Sequence, residues 1–151
     1  MTGIASIMAG HHATCDDLFA AALAKATQGN WDETVFEFTR FRDELERHIG
    51  GEETVLFPAF ELTTGVQTGP TAVMREEHNR MRALLAQIEL ALQAHDLESV
   101  DGYASTLLIM MQQHNLKEEN VLYPMFDAIM ADRAAELVSR LDFGCGQTCP
   151  Q

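Results

Sequence analysis

Two histidines each stand four positions ahead of a glutamate in closely similar settings. They are His48/Glu52 in "ERHIGGEETVLFPAF" (46–60) and His114/Glu118 in "QQHNLKEENVLYPMF" (112–126). Imidazole and carboxylate at i and i+4 share one helix face, and a mixed nitrogen and oxygen donor set suits Fe, Mn or Zn. The two stretches are 66 positions apart, and the same offset carries Glu53 onto Glu119, Leu56 onto Leu122, Pro58 onto Pro124 and Phe60 onto Phe126. Applied to the rest of the chain, it pairs His12 with His78 and Leu18 with Leu84. The chain therefore reads as two copies of one helical hairpin, each supplying a histidine and then a His-x-x-x-Glu.

Packed about a pseudo-twofold axis, such hairpins would aim His12, His48, Glu52, His78, His114 and Glu118 at a common centre. Buried carboxylates are costly or are forced to protonate unless a partner neutralises them, and divalent cations would do so. If both glutamates bridge a pair of cations, each cation receives two imidazoles and two carboxylate oxygens. An octahedral ion then keeps two positions, one for a bridging oxo or hydroxo group and one for a small exogenous ligand.

Long helices must position these donors. Turn-forming clusters fall at "TQGN" (27–30), "TTGVQTGP" (63–70), "AHDLES" (94–99) and "GCGQTCPQ" (144–151), with helical periodicity between them. The pattern predicts helices from about Ile4 to Thr27, from the N-cap Asn30 towards Leu62, from Pro70-Thr71 to about Ala94, and from after Asp96 to about Met130. Glu33, three residues after Asn30, fits a capping box. A short helix is expected in "DRAAELVSRL". The expectation is an all-α, up-down-up-down four-helix bundle, a single domain over residues 1–151 with a flexible tail at 144–151. Pro58 and Pro124, which lack an N–H, should kink or end their helices.

Composition narrows the classes. The chain has 151 residues, 46% hydrophobic and 22% charged, ordinary for a soluble globular protein. Ten basic against 23 acidic side chains leave a net charge of −13. That balance disfavours nucleic acid and anionic membrane surfaces as partners. No apolar run approaches the roughly 18 residues of a membrane span. The start, "MTGIASIMAGHH", lacks the basic and apolar regions of a secretory signal. Three cysteines, Cys15, Cys145 and Cys149, do not suggest a disulfide framework, so a cytoplasmic location is expected. Nothing resembles a Ser-His-Asp or Cys-His nucleophile system, a phosphate-binding loop or a dinucleotide fingerprint.

Other chemistry-bearing residues have plainer readings. His11 rivals His12, but the offset places Glu77 opposite it, so His11 is expected as a partly exposed neighbour. His95 is expected on the surface. Glu53 and Glu119 point about 100° away from the glutamates before them and are either solvated or partners held behind the ligands, the first being expected. Asp16 and Arg82 are equivalent under the offset and could pair across the axis, an ordinary salt bridge being the simpler expectation. Cys15 is expected to be a buried, inert thiol, and Cys145 and Cys149 to lie in a tail with no role. Met74, Met81, Met110 and Met111 read as core, as do Trp31, Phe36, Phe38 and Phe41. Gly50-Gly51 should let another helix or a ligand channel approach, so that access to the cations, if asymmetric, lies on that side.

"GHHATCDDLF", "FRDELERHIGGEETVLFPAF", "REEHNRMRALL" and "MMQQHNLKEENVLYPMF" resemble the four metal-binding segments of the hemerythrin HHE cation-binding domain, over roughly residues 8–130. The resemblance places the family's ligands on His12, His48, Glu52, His78, His114 and Glu118. It implies a non-haem centre of two iron ions, carboxylate-bridged and oxo- or hydroxo-bridged, with Mn or Zn as alternatives. Two departures separate the chain from the oxygen-carrying hemerythrins: Met74 and Arg82 flank His78 where those have a second histidine, and Glu118 at i+4 stands in place of an aspartate at i+5. The symmetric four-histidine, two-glutamate set is more similar to the di-iron domain of the repair-of-iron-centres proteins, which respond to nitric oxide and oxidative damage. The implied function is binding or sensing of O2, NO or a related small oxidant. Alternatives are a repair factor that donates iron or reduces NO or peroxide, which would make the chain an enzyme, and a passive metal store.

Overall fold

The structure, a computed structural model, describes residues 3–141 and 143. Its long helices obey the offset end to end. Helix α1 (Ile4–Thr27) and helix α4 (Pro70–Gln93) share boundaries 66 positions apart, as do α2 (Trp31–Gly51) and α5 (Leu97–Lys117). The starts of α2 and α5 are built alike: the Asn30 side chain accepts from the Glu33 N–H at 3.2 Å, and Asp96 from the Ser99 N–H at 3.2 Å, satisfying donors a helix start leaves unpaired. The reciprocal half of the expected capping box does not form. The Glu33 carboxylate pairs with Lys25 at 2.8 Å, and the Asn30 N–H donates to the Lys25 carbonyl at 3.1 Å.

The prolines neither end nor break their helices. Ahead of each, the chain widens into a π turn, Glu52–Leu56 and Glu118–Leu122, closed by the Phe57 N–H on the Glu52 carbonyl and the Tyr123 N–H on the Glu118 carbonyl. Each proline then falls in the first turn of the next segment, α3 (Phe57–Thr64) or α6 (Tyr123–Ile129). A missing N–H costs little there. The expected kink is thus absorbed as one π turn per hairpin, a device that inserts a residue and re-aims the downstream segment. Gly65, at φ 73, closes α3 by donating its N–H to the Glu61 carbonyl at 2.8 Å. A 3-10 turn (Ala131–Arg133) leads into the short α7 (Ala134–Ser139), within the stretch where a terminal helix is expected.

Helix α1 packs along α2 and α4 along α5, while α1 also meets α5 and α6, and α2 meets α4, in a helical bundle without strands among the described residues. Its apolar interior falls into two layers. One gathers Phe19, Phe38, Phe41, Leu45, Ile88 and Leu107 towards the α1–α2 and α4–α5 loops. The other gathers Ile4, Met8, Leu56, Phe57, Phe60 and Phe126 at the opposite end. Met74, Met81 and Met111 are buried, and Met110 packs against the first layer. Phe36 corrects the expectation for its cluster, being 62% exposed. His95 is exposed and stacks on Trp31 with ring centroids 4.8 Å apart. None of the described helices is long and apolar enough to cross a membrane. Cys145, Cys149 and the rest of 144–151 lie outside the described residues.

Candidate metal centre

All six inward donors meet between the two apolar layers. His12 comes from α1, His48 from α2, His78 from α4 and His114 from α5, while Glu52 and Glu118 are the first residues of the π turns. All are buried, Glu52, Glu118 and His78 completely. Glu52, His78, His114 and Glu118 offer atoms within 4.8 Å of one another, as do His12, His48 and Glu118. The Nε2 of His78 lies 3.1 Å from Glu52 Oε1, the Nε2 of His12 3.1 Å from Glu118 Oε1, and the Nε2 of His114 3.3 Å from the same oxygen.

Glu52 Oε1, His78 Nε2 and Glu118 Oε2 have no hydrogen-bond partner among the described residues. Orphaned buried polar atoms are rare and costly. Three lone-pair donors of mixed nitrogen and oxygen type, turned towards one another, fit a cation.

The outer nitrogens decide which ring nitrogen faces inward. His78 Nδ1 lies 2.9 Å from Glu53 Oε2, His12 Nδ1 3.1 Å from Glu119 Oε2, and His114 Nδ1 2.8 Å from Glu77 Oε1. A carboxylate can only accept, so the proton is assigned to each Nδ1 and the Nε2 lone pair points inward. Glu53 and Glu119, expected to be solvated, instead hold ligand-candidate imidazoles. His48 breaks the pattern. Its Nδ1 lies 3.0 Å from His11 Nδ1, and His11 Nε2 lies 2.9 Å from Glu44 Oε2. His11, expected to be partly exposed, is therefore buried and relays His48 to Glu44. Glu77 and Glu44 were missed from sequence, although the offset that sets Glu77 opposite His11 carried half the signal. Arg82 pairs with Glu46 at 3.1 Å and Glu53 at 3.0 Å rather than with Asp16.

Electrostatics act unequally on the buried histidines. Burial pushes His48 down to about 3 and also lowers His78 and His11. Burial presses His114 the same way, but Glu118 and Glu77 overcome it and raise it. Burial and then the charge of Glu118 push the Glu52 carboxyl well above its ordinary value. Burial acts likewise on Glu118, yet hydrogen bonds with Glu52, His114, His12 and His48 hold it well below. With no cation, two buried carboxylates this close cannot both ionise without a large cost.

Tyr123, not foreseen from sequence, reaches into the centre. Its hydroxyl lies 2.8 Å from Glu52 Oε2, 2.8 Å from Glu118 Oε1, 3.1 Å from His12 Nε2 and 3.2 Å from His48 Nε2. The offset places Phe57 opposite it, and that ring stacks on His78 at 5.8 Å.

Among the described residues, the nearest neighbours of the glycine pair belong to the C-terminal segment rather than to another helix. A Cβ at Gly50 would meet nothing within 4 Å, and one at Gly51 would lie 3.0 Å from Leu141 and 3.3 Å from Phe143. Phe143 stacks on His11 at 4.0 Å, so this edge is covered by the chain's own C-terminal segment. A cleft of about 380 Å³ lies on the other hairpin, lined by residues including Glu77, Gln113, His114 and Lys117, and a smaller one of about 190 Å³ lies beside Glu44. Cys15 is buried in the first apolar layer, and burial pushes its thiol up to about 12, which leaves it inert.

No curated protein and no solved structure matches the chain. The sequence profile of the hemerythrin HHE cation-binding domain matches residues 2–126. A profile spanning both hairpins, over a buried histidine–glutamate cluster able to hold a metal ion, places this chain in the hemerythrin HHE cation-binding domain family.

Proposed function

We propose that the chain holds two iron ions on His12, His48, Glu52, His78, His114 and Glu118, and uses them to bind or sense a small oxidant such as O2 or NO. The observation that carries this reading is the convergence of these buried donors with three polar atoms left unpartnered. Iron held there would supply open coordination positions and an accessible ferrous/ferric couple. The protein's part is orientation and exclusion. Glu53, Glu119 and Glu77 each accept the Nδ1 proton of one imidazole, and His11 passes the same task for His48 to Glu44. The apolar layers above and below keep bulk water from the donors.

The test is anaerobic purification with metal analysis, then titration with O2 and with NO. Two irons per chain are expected, lost in His48→Ala plus His114→Ala, with a visible absorption change that reverses when the gas is removed. Irreversible oxidation with turnover of NO or peroxide would favour a repair enzyme, and a spectroscopically silent zinc protein a passive store.

A further inference from the structure

A single phenol hydroxyl can donate one hydrogen bond, yet the Tyr123 oxygen faces four acceptors. With Nδ1 of His12 turned to Glu119 and Nδ1 of His48 to His11, both Nε2 atoms present lone pairs, as do Glu52 Oε2 and Glu118 Oε1. At most one of these contacts holds the proton. The distances have another meaning. Octahedral first-row and similar divalent ions hold nitrogen and oxygen donors at about 2.0–2.2 Å, so neighbouring donors stand about 3 Å apart and opposite ones about 4 Å. The Tyr123 oxygen lies 2.8, 2.8, 3.1 and 3.2 Å from its four neighbours. Among those neighbours, His12 Nε2 and Glu118 Oε1 are 3.1 Å apart, as an adjacent pair would be, and His48 Nε2 and Glu118 Oε1 are 4.0 Å apart, as an opposite pair would be.

Resting on the two-cation reading, we infer that Tyr123 is a further metal ligand, a fifth protein donor at the His12/His48 position, and that exogenous ligands are thereby directed to the His78/His114 position. Coordination breaks the Oη–H bond, forms an oxygen–metal bond and releases the proton to solvent, with no electron transferred. At the other position the offset supplies Phe57, which has no oxygen to offer. The three unpartnered buried atoms, Glu52 Oε1, His78 Nε2 and Glu118 Oε2, belong to the donor set on that side. The surroundings agree. Phe143 covers the His11/His48 edge, stacked at 4.0 Å and 5.7 Å on those rings, whereas the cleft of about 380 Å³ opens against His114. The chain is therefore symmetric in its histidines and glutamates and asymmetric in one hydroxyl.

The experiment compares the iron-loaded, air-oxidised wild type with Tyr123→Phe and Phe57→Tyr, each checked for helicity and iron content. The wild type is expected to show a phenolate-to-Fe(III) charge-transfer band with tyrosine modes in resonance Raman. Tyr123→Phe should lose both while keeping its iron. Phe57→Tyr should add a second phenolate, roughly doubling the band, and weaken azide binding at least tenfold. An iron-loaded wild type without the band, or a Tyr123→Phe protein that keeps it, overturns the assignment while leaving the two-iron reading intact. A wild type that binds no iron overturns both.

Discussion

Each inward imidazole is aimed through its outer nitrogen, so the acidic residues behind the centre matter as much as those within it. Replacing Glu53 by glutamine keeps an acceptor for His78 but removes the charge. Metal affinity is expected to fall about 10–100-fold, read by chelator competition. Glu119→Gln should cost less, because that side chain is 38% exposed against 19% for Glu53. Equal affinities in wild type and Glu53→Gln would mean that the hydrogen bond does not organise the site. The metal-free protein also carries a pH signature. His48, pushed by burial from 6.5 to about 3, stays neutral when folded, while the unfolded chain takes up a proton below about 6.5. The unfolded state binds more protons across that window, so stability falls as pH drops from 6.5 towards 3. His78 and His11, both lowered, add in the same sense. The raised His114 opposes them, its contribution being present below its unfolded value and lost as pH rises through the folded one. Denaturant midpoints of metal-free protein between pH 7 and 4 would measure this, and His48→Ala should flatten the slope.

At the scale of elements, two π turns and one glycine do most of the positioning. Each π turn begins on a glutamate of the centre and ends before a proline, so the helix stays continuous while its register shifts. Gly50 and Gly51 are neighbours in sequence with different tasks. A side chain at Gly50 meets nothing, so Gly50→Ala should stabilise by about 0.5–1 kcal/mol through helix propensity. At Gly51 even a Cβ presses on Leu141 and Phe143. Gly51→Leu should cost about 1–3 kcal/mol and lift the C-terminal segment from His11. Chemical denaturation of both variants is the check, and a Gly51→Leu protein as stable as wild type would deny that segment its packing role.

For the whole molecule, a polar centre is sandwiched between apolar layers in a chain whose net charge is −13. Folding without cations crowds two buried glutamates together and leaves three polar atoms unpartnered among the described residues. Cation binding is therefore coupled to folding. At free metal a thousandfold above its Kd, the linkage contributes about 4 kcal/mol. Chelation should lower the thermal midpoint measurably, and adding back metal should restore it in a concentration-dependent way. A midpoint indifferent to chelation would mean that the cluster adds nothing to stability.

Local periodicity and the 66-residue repeat determined the helix boundaries, the paired hairpins and the six inward donors, because each depends on spacing along one helix or on an internal copy. What lies behind the donors was decided only by the tertiary structure. Whether Glu53 is solvated or holds His78 depends on the angle between α2 and α4, and no single-helix pattern carries that angle. The same holds for Tyr123, whose hydroxyl reaches His12 and His48 from the start of α6 across the bundle. Gly51 makes the point most directly: its empty side matters because Phe143, 92 positions later, returns to fill it.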